Sequence, residues 1–328
     1  MGDLMPRALD IFCGGGGSSR GASTAGFDVV GGVDMDPIAT ATFSANFPDA
    51  VVVTRRLQEI DLPEFREQVG PVDLLVASPE CTNHTCAKGS KPRSEESRAT
   101  AMQLIRYAES FKPRWLCMEN VVHMRPWSRY QELLDALTSL GYGLRVQVID
   151  AADLGVPQSR KRLFVFGEFG YTPPEIEFER QVRQGTVYDI LDGPGTHRES
   201  PLNNGRRAAS TLARAERAFA KIGHDLPFLI VYYGSDGAGG YQTLDRPLRT
   251  ITTLDRFALV RPSPDGPMMR MLQPPELQRA MGFEDSHLLP AGVRRDKIRL
   301  LGNGVCPPVM ERIARHLLGR IVVESMAA

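Results

Sequence analysis

Cys81 stands directly behind Pro79-Glu80 in the polar stretch ASPECTNHT, which runs from Ala77 to Thr85 and follows the apolar run VDLLVA. A thiol becomes a nucleophile when it is partly exposed and its thiolate is stabilised. A polar loop after a buried strand is where parallel sheets carry their reactive groups. Cys13, Cys86, Cys117 and Cys306 compete for the role, and Cys117 sits inside an apolar strand pattern that reads as packing. Cys81, His84 and Cys86 also spell C-x-x-H-x-C. That spacing is cramped for zinc and has no fourth ligand nearby, so no metal is expected.

Glu119 closes the apolar stretch Trp115–Met118. A carboxylate beside apolar strands can have a raised pKa and exchange a proton with a substrate, although a helix-capping role is open to it too. Gln158, Arg160 and Arg162 alternate into the strand pattern Leu163–Phe166. Alternation predicts one shared face, and guanidinium groups there can clamp a phosphate or a carbonyl. Phe12-Cys13-Gly14-Gly15-Gly16 fits F-x-G-x-G between a strand and a helix. Glycine lets a backbone approach a ligand closely, and a helix N-terminus offers free amides. Nicotinamide and flavin enzymes share that logic. Asp34 closes the second strand, where an acid can accept from ribose hydroxyls or cap a helix at Pro37, and Met35 beside it can lie against an adenine face.

The elements that must hold these groups alternate. Ala8–Phe12, Val29–Val33, Val72–Ala77, Trp115–Met118, Leu144–Ile149 and Leu163–Phe166 read as strands. Ser19–Ala25, Pro37–Asn46, Ala99–Ser110 and Arg129–Leu140 read as helices between them. The alternation predicts a doubly wound, Rossmann-like α/β domain with a mostly parallel sheet. From about Tyr171 to Pro264 the pattern gives way to Gly, Pro and polar turns, with one helix over Ala208–Ile222. The expected organisation is therefore a first domain over 1–171 and 265–328 and a smaller inserted domain over 172–264. Helices over Pro275–Met281 and Val309–Leu318 return the chain to the first domain.

Hydrophobic residues make up 42% of the 328, enough to bury a core. No apolar run approaches the roughly 20 residues of a membrane span. MGDLMPRALDIF lacks the basic-then-apolar pattern of a leader, and Pro6 stands where myristoylation needs Ser or Thr. Five scattered cysteines argue against a disulfide framework and for a reducing cytoplasm. Acidic and basic residues balance at 39 each, so any nucleic-acid contact must come from local patches.

Taken in order, the motifs resemble the cytosine-5 DNA methyltransferases. They are Phe12–Gly16 with Gly26-Phe27, Val33–Asp36, the Pro-x-Cys loop, Glu119-Asn120-Val121, Gln158-x-Arg160-x-Arg162, Arg270–Phe283 and Leu301–Val305. The resemblance implies S-adenosylmethionine as cofactor, held by Phe12, Gly14, Gly16, Asp34, Met35, Pro79, Asn303 and Val305. It implies a cytosine swung out of double-stranded DNA, with Cys81 adding to ring carbon 6. Glu119 would hold ring nitrogen 3 and the exocyclic amine, Arg162 the ring carbonyl and Arg160 a backbone phosphate. Glu80, Asn120, Val121 and Gln158 would line the substrate side. Lys88, Arg93 and Arg98 would lie on a loop that closes over DNA. The 172–264 region would be the target-recognition domain, with Arg206, Arg207, Arg214, Arg217 and Lys221 as phosphate contacts or a solvated face. A monomer, bacterial or phage-encoded, cytoplasmic and nucleoid-associated, beside a cognate restriction enzyme, completes the implied picture.

The sequence departs from the family pattern at Glu80, where a proline is usual, and at Met35, where an aromatic is. A carboxylate next to Cys81 would raise the thiol pKa or alter substrate choice. Two other readings follow: methylation of tRNA by the same chemistry, or a DNA-binding relative with weak or no catalysis. A nicotinamide oxidoreductase would leave Cys81, Glu119 and the Gln-x-Arg-x-Arg strand without roles.

Overall fold

The computed structural model describes residues 5–80, 94–178, 184–233, 237 and 239–327. Short apolar runs separated by helices need crossover connections, and these build a parallel sheet. β1 (Arg7–Ile11), β2 (Asp28–Asp34), β3 (Val51–Thr54), β4 (Leu74–Ala77) and β5 (Trp115–Asn120) run parallel in the order β3-β2-β1-β4-β5. β6 (Tyr142–Asp150) and β7 (Lys161–Phe169) extend the sheet, with β7 antiparallel between β5 and β6. β4 and β5 are buried at every position, as strands covered on both faces must be.

One face carries α1 (Gly17–Ala25) and α10 (Pro307–Ala327). The other carries α3 (Leu62–Val69), α5 (Gln103–Phe111) and α6 (Tyr130–Ser139). The small residues of α1 bring α10 close: a Cβ at Gly21 would lie 2.4 Å from the Pro307 carbonyl oxygen. α2 (Pro37–Asn46) starts where expected, because Asp36 accepts from the Ile38 amide at 3.0 Å and Pro37 opens the first turn. The helix expected over Ala99–Ser110 is broken. α4 (Glu95–Ala99) passes through a 3-10 turn at Thr100–Met102 before α5 begins.

Around the parallel sheet, β3, only four residues long, α3, whose Pro63 reads as a breaker, and α9 (Arg294–Asn303), whose charges mask the buried Ile298, Leu300 and Leu301, escaped the sequence reading, as did every strand of the second sheet.

A second, antiparallel sheet runs β10-β9-β11-β12-β8, from β8 (Ser200–Pro201), β9 (Phe228–Val231), β10 (Tyr241–Thr243), β11 (Phe257–Arg261) and β12 (Met268–Met271). It extends past 264, through Met271. α7 (Ala209–Ile222) seals one face with Ala215, Ala218 and Phe219. The alternate residues Leu229, Val231, Phe257 and Leu259 pack into the core that also holds α10. The chain then returns through α8 (Pro274–Ala280) and α9. Among the described residues no helix is long and apolar enough to cross a membrane.

Candidate active site

The sheet reverses winding between β1 and β4, and ligands of such sheets bind at the strand ends beside that point. After β1 the chain turns sharply: Phe12 takes φ 69° although it is not glycine, and Gly14 and Gly16 follow at 50° and 84°. The amides of Phe12 and Cys13 both donate to the Val33 carbonyl, at 2.8 and 2.9 Å. Asp34 ties the loop to β2, accepting from the Gly14 amide at 3.0 Å and the Asp36 amide at 2.9 Å. Burial raises the Asp34 pKa, and these amides oppose the rise. A Cβ at Gly17 would lie 2.2 Å from the Val305 carbonyl oxygen, so the loop seats directly on the C-terminal segment.

At the ends of β4 and β5, Asn120 donates to the Pro79 carbonyl at 3.0 Å and accepts from the Val121 amide at 2.8 Å. Beside it, Glu119 meets Arg162 Nε at 3.1 Å. Burial raises the Glu119 pKa, while Arg162 and then Arg160 pull it down without cancelling the rise.

A cavity of about 320 Å³ gathers Phe12, Gly14, Gly15, Gly17, Asp34, Met35, Pro79, Glu80, Glu119, Arg160, Arg162, Asn303 and Val305. An adjoining hollow of about 450 Å³ shares Phe12, Asp34, Met35 and Glu80 and adds Arg55, Arg56 and Gln58. Glu80 is exposed where the two meet. Cys81, Lys88 and Arg93 lie outside the described residues. Three competing thiols are disfavoured by burial, which pushes Cys306 to about 11 and raises Cys13 and Cys117 as well.

Several of the expected site residues have other partners in the structure. Arg160 reaches the cavity wall, but its buried guanidinium is engaged there by the carbonyls of Ile251, Gly302 and Gly304, to which it donates at 2.8–3.0 Å. It binds two distant segments to β7. Gln158 is fully buried, accepting from the Ile251 amide at 2.8 Å and donating to Ala280, and it does not line the cavity. Asn120 and Val121 do not line it either; Asn120 acts on the backbone of Pro79. Gly16 supplies the turn and faces Phe47 rather than the cavity. Arg98 pairs with Glu95 at 3.7 Å and is mostly buried, so that pair must open before Arg98 can reach a phosphate. In the second sheet Arg207 donates to Ser200, Arg214 stacks over Tyr232 and Arg217 caps the Gly239 carbonyl, while Arg206 is exposed.

The sequence reading missed Arg299, which meets Asp36 at 2.6 Å on the cavity wall, and Thr100, which lines both hollows. It also missed His287, bonded to the Gly15 carbonyl. Arg299 and His287 meet their partners from remote segments, so no local spacing signals them.

The family model for C-5 cytosine-specific DNA methylases matches residues 7–319. The Type II methyltransferase M.AgeI of Thalassovita gelatinovora is 30% identical over 203 residues, covering 57% of this chain and 47% of that protein. The Type II methyltransferase M.NaeI of Lentzea aerocolonigenes is 26% identical over 333 residues, covering 97% of this chain and 76% of that one. This chain thus spans about half the length of M.AgeI and more of M.NaeI. The solved methyltransferase EhMeth of Entamoeba histolytica superposes with a TM-score of 0.70 at 16% identity, over 97% of this chain and 99% of that one, a likeness of fold.

Proposed function

The chain belongs to the C-5 cytosine-specific DNA methylase family, and from that premise we propose that it transfers a methyl group from S-adenosylmethionine to carbon 5 of a cytosine swung out of double-stranded DNA. The observation that carries this reading is the meeting of the glycine loop, Asp34, Pro79-Glu80, the Glu119–Arg162 pair and Asn303 on one cavity.

The cavity suits that cofactor. Gly17 and Ser18, at the first turn of α1, line it with no side chain capping their amides, which favours a carboxylate. Asp34 retains lone pairs for hydroxyl donors after accepting two amides. Met35, 65% exposed, offers apolar surface to a purine ring. S-adenosylmethionine supplies an electrophilic methyl group.

The protein's own residues do the rest. The Cys81 thiolate adds to ring carbon 6, which makes carbon 5 electron-rich. Glu119, with its raised proton affinity, donates to ring nitrogen 3 and stabilises the charge that develops there. Arg162 orients Glu119 and holds the ring carbonyl. After carbon 5 takes the methyl group it loses its proton, and the Cys81 sulfur leaves as 5-methylcytosine forms. Asn120 sets the backbone at Pro79, two residues before the nucleophile. The 172–264 region reads base edges in the major groove. The Type II names of the relatives favour a modification role beside a restriction enzyme, in a bacterial or phage setting.

Labelled S-adenosylmethionine supplied with unmethylated DNA and, separately, tRNA tests the reading, with products digested to nucleosides. The expected label is 5-methylcytosine in DNA, absent with Cys81→Ala. Label confined to tRNA moves the activity to RNA. Label that survives Cys81→Ala removes Cys81 as nucleophile.

A further inference from the structure

The turn between α8 and α9 carries a buried imidazole that reaches back across 272 residues to the glycine loop. His287 Nε2 lies 2.9 Å from the Gly15 carbonyl oxygen. A carbonyl only accepts, so Nε2 carries the hydrogen. The ring packs against Phe283, 4.3 Å between centroids and tilted by 36°. Gln278 Nε2 holds the His287 carbonyl at 2.7 Å, and Asn46 exchanges hydrogen bonds of 2.9 and 2.8 Å with Leu288. Burial, then the nearby Arg20, lower the imidazole pKa to about 4, so the ring is neutral at ordinary pH. Its Nδ1 has no partner among the described residues. A side chain this enclosed, with one polar atom spent on a single loop carbonyl, is built to hold that carbonyl.

The peptide that carries it is held on its amide side by the bond from the Gly16 amide to the Cys13 carbonyl at 2.9 Å, and on its carbonyl side by His287. Gly14 and Gly16, either side of Gly15, both sit at positive φ, where glycine rotates at little steric cost. A flip of the Gly15–Gly16 peptide would turn a carbonyl dipole towards the cavity that Gly15 lines. That dipole would oppose the carboxylate of a ligand bound at the adjoining amides of α1.

We propose that His287 is a positioning residue for the S-adenosylmethionine site: its Nε2–H fixes the Gly15 carbonyl away from the cavity and so sets cofactor affinity rather than the rate of methyl transfer. This rests on the cofactor reading above. His287 thereby adds a support from the α8–α9 turn to a site that Asn303 and Val305 already line.

Two variants separate the hydrogen bond from the packing. His287→Phe keeps a ring against Phe283 and removes the donor; His287→Gln returns an amide N–H near the place of Nε2. Calorimetric titration with S-adenosylmethionine and steady-state kinetics are run on the whole chain. One neutral hydrogen bond corresponds to about a three- to tenfold rise in Kd and KM for His287→Phe, with kcat within about twofold of native, and His287→Gln restores most of the affinity. If native protein binds and His287→Phe binds as tightly, or His287→Gln fails as badly as His287→Phe, His287 has no positioning role. If the native chain does not bind S-adenosylmethionine, the cofactor reading itself falls, and this inference with it.

Discussion

Two buried acid–arginine pairs, one between the adjacent strands β5 and β7 and one beneath the antiparallel sheet, differ in what they leave unspent. Glu276, fully buried, accepts two bonds from Arg270 at 2.6 and 2.7 Å, one from the Gln273 amide at 2.7 Å and one from the Asp192 amide at 3.0 Å. Its lone pairs are used up, and its charge serves the fold. Glu119 meets Arg162 through one oxygen and keeps acceptor capacity beside the cavity it lines. Asp192 and His197, 2.6 Å apart and close to Glu276, follow the first pattern, because Arg279 already neutralises Asp192. On the proposed mechanism it is unspent hydrogen-bonding capacity next to a cavity, rather than burial and charge, that separates Glu119 from Glu276.

Substitutions can break this contrast. The largest effect is expected at Glu276→Gln, which leaves the buried Arg270 only the more distant Glu199, at 3.6 Å, and costs about 3 kcal/mol of stability. Urea unfolding should show it, with the specific activity of the folded fraction unchanged. Glu119→Gln should do the reverse, lowering kcat about 10²- to 10³-fold while thermal unfolding barely moves. If both variants lose stability alike and activity alike, the two pairs are not distinct in kind.

Asn120→Ala sharpens the contrast within the cleft. It removes the bond to the Pro79 carbonyl and should lower kcat by about tenfold, with S-adenosylmethionine affinity retained. Weakened cofactor binding at unchanged kcat would assign Asn120 to the wrong side of the cavity.

The smallest effect concerns pH. Asp10, under the glycine loop in β1, is buried and accepts from Ser19 at 2.7 Å. Burial raises its pKa from the ordinary 3.8 to about 7, against the opposing Ser19 bond. Below pH 3.8 it is protonated whether the chain is folded or unfolded. Between 3.8 and about 7 the unfolded chain releases the proton and the folded one keeps it, so stability falls as pH rises through that window. Asp34 and Glu119, also raised by burial, slope the same way. Asp10→Asn should therefore shrink the fall in Tm between pH 5 and pH 8 without abolishing it; an unchanged fall would mean Asp10 already ionises freely in the fold.

Much of this was legible in the sequence because it is written locally. The alternation of apolar runs and helices specified the parallel sheet, since strand and helix periods each span a few residues. The turn after β1 and the acid that ends β2 were legible too, because Gly14 and Gly16 take the positive φ that glycine adopts at little steric cost and Asp34 ties that turn to the strand end. Arg160 and Arg162 mark where local reading stops. They are the same residue type at alternate positions, and alternation gave them one face and one kind of work. The tertiary structure divides them, because segments 91 and 142 residues further along the chain bring the carbonyls of Ile251 and Gly302 onto Arg160. Arg162 meets instead a carboxylate on the neighbouring strand β5, beside the cavity. His287 and Gly15 carry the same lesson: residue type and spacing decide which chemistry is available, and contacts between distant segments decide where it is spent, since a hydrogen bond depends on separation in space and not along the chain.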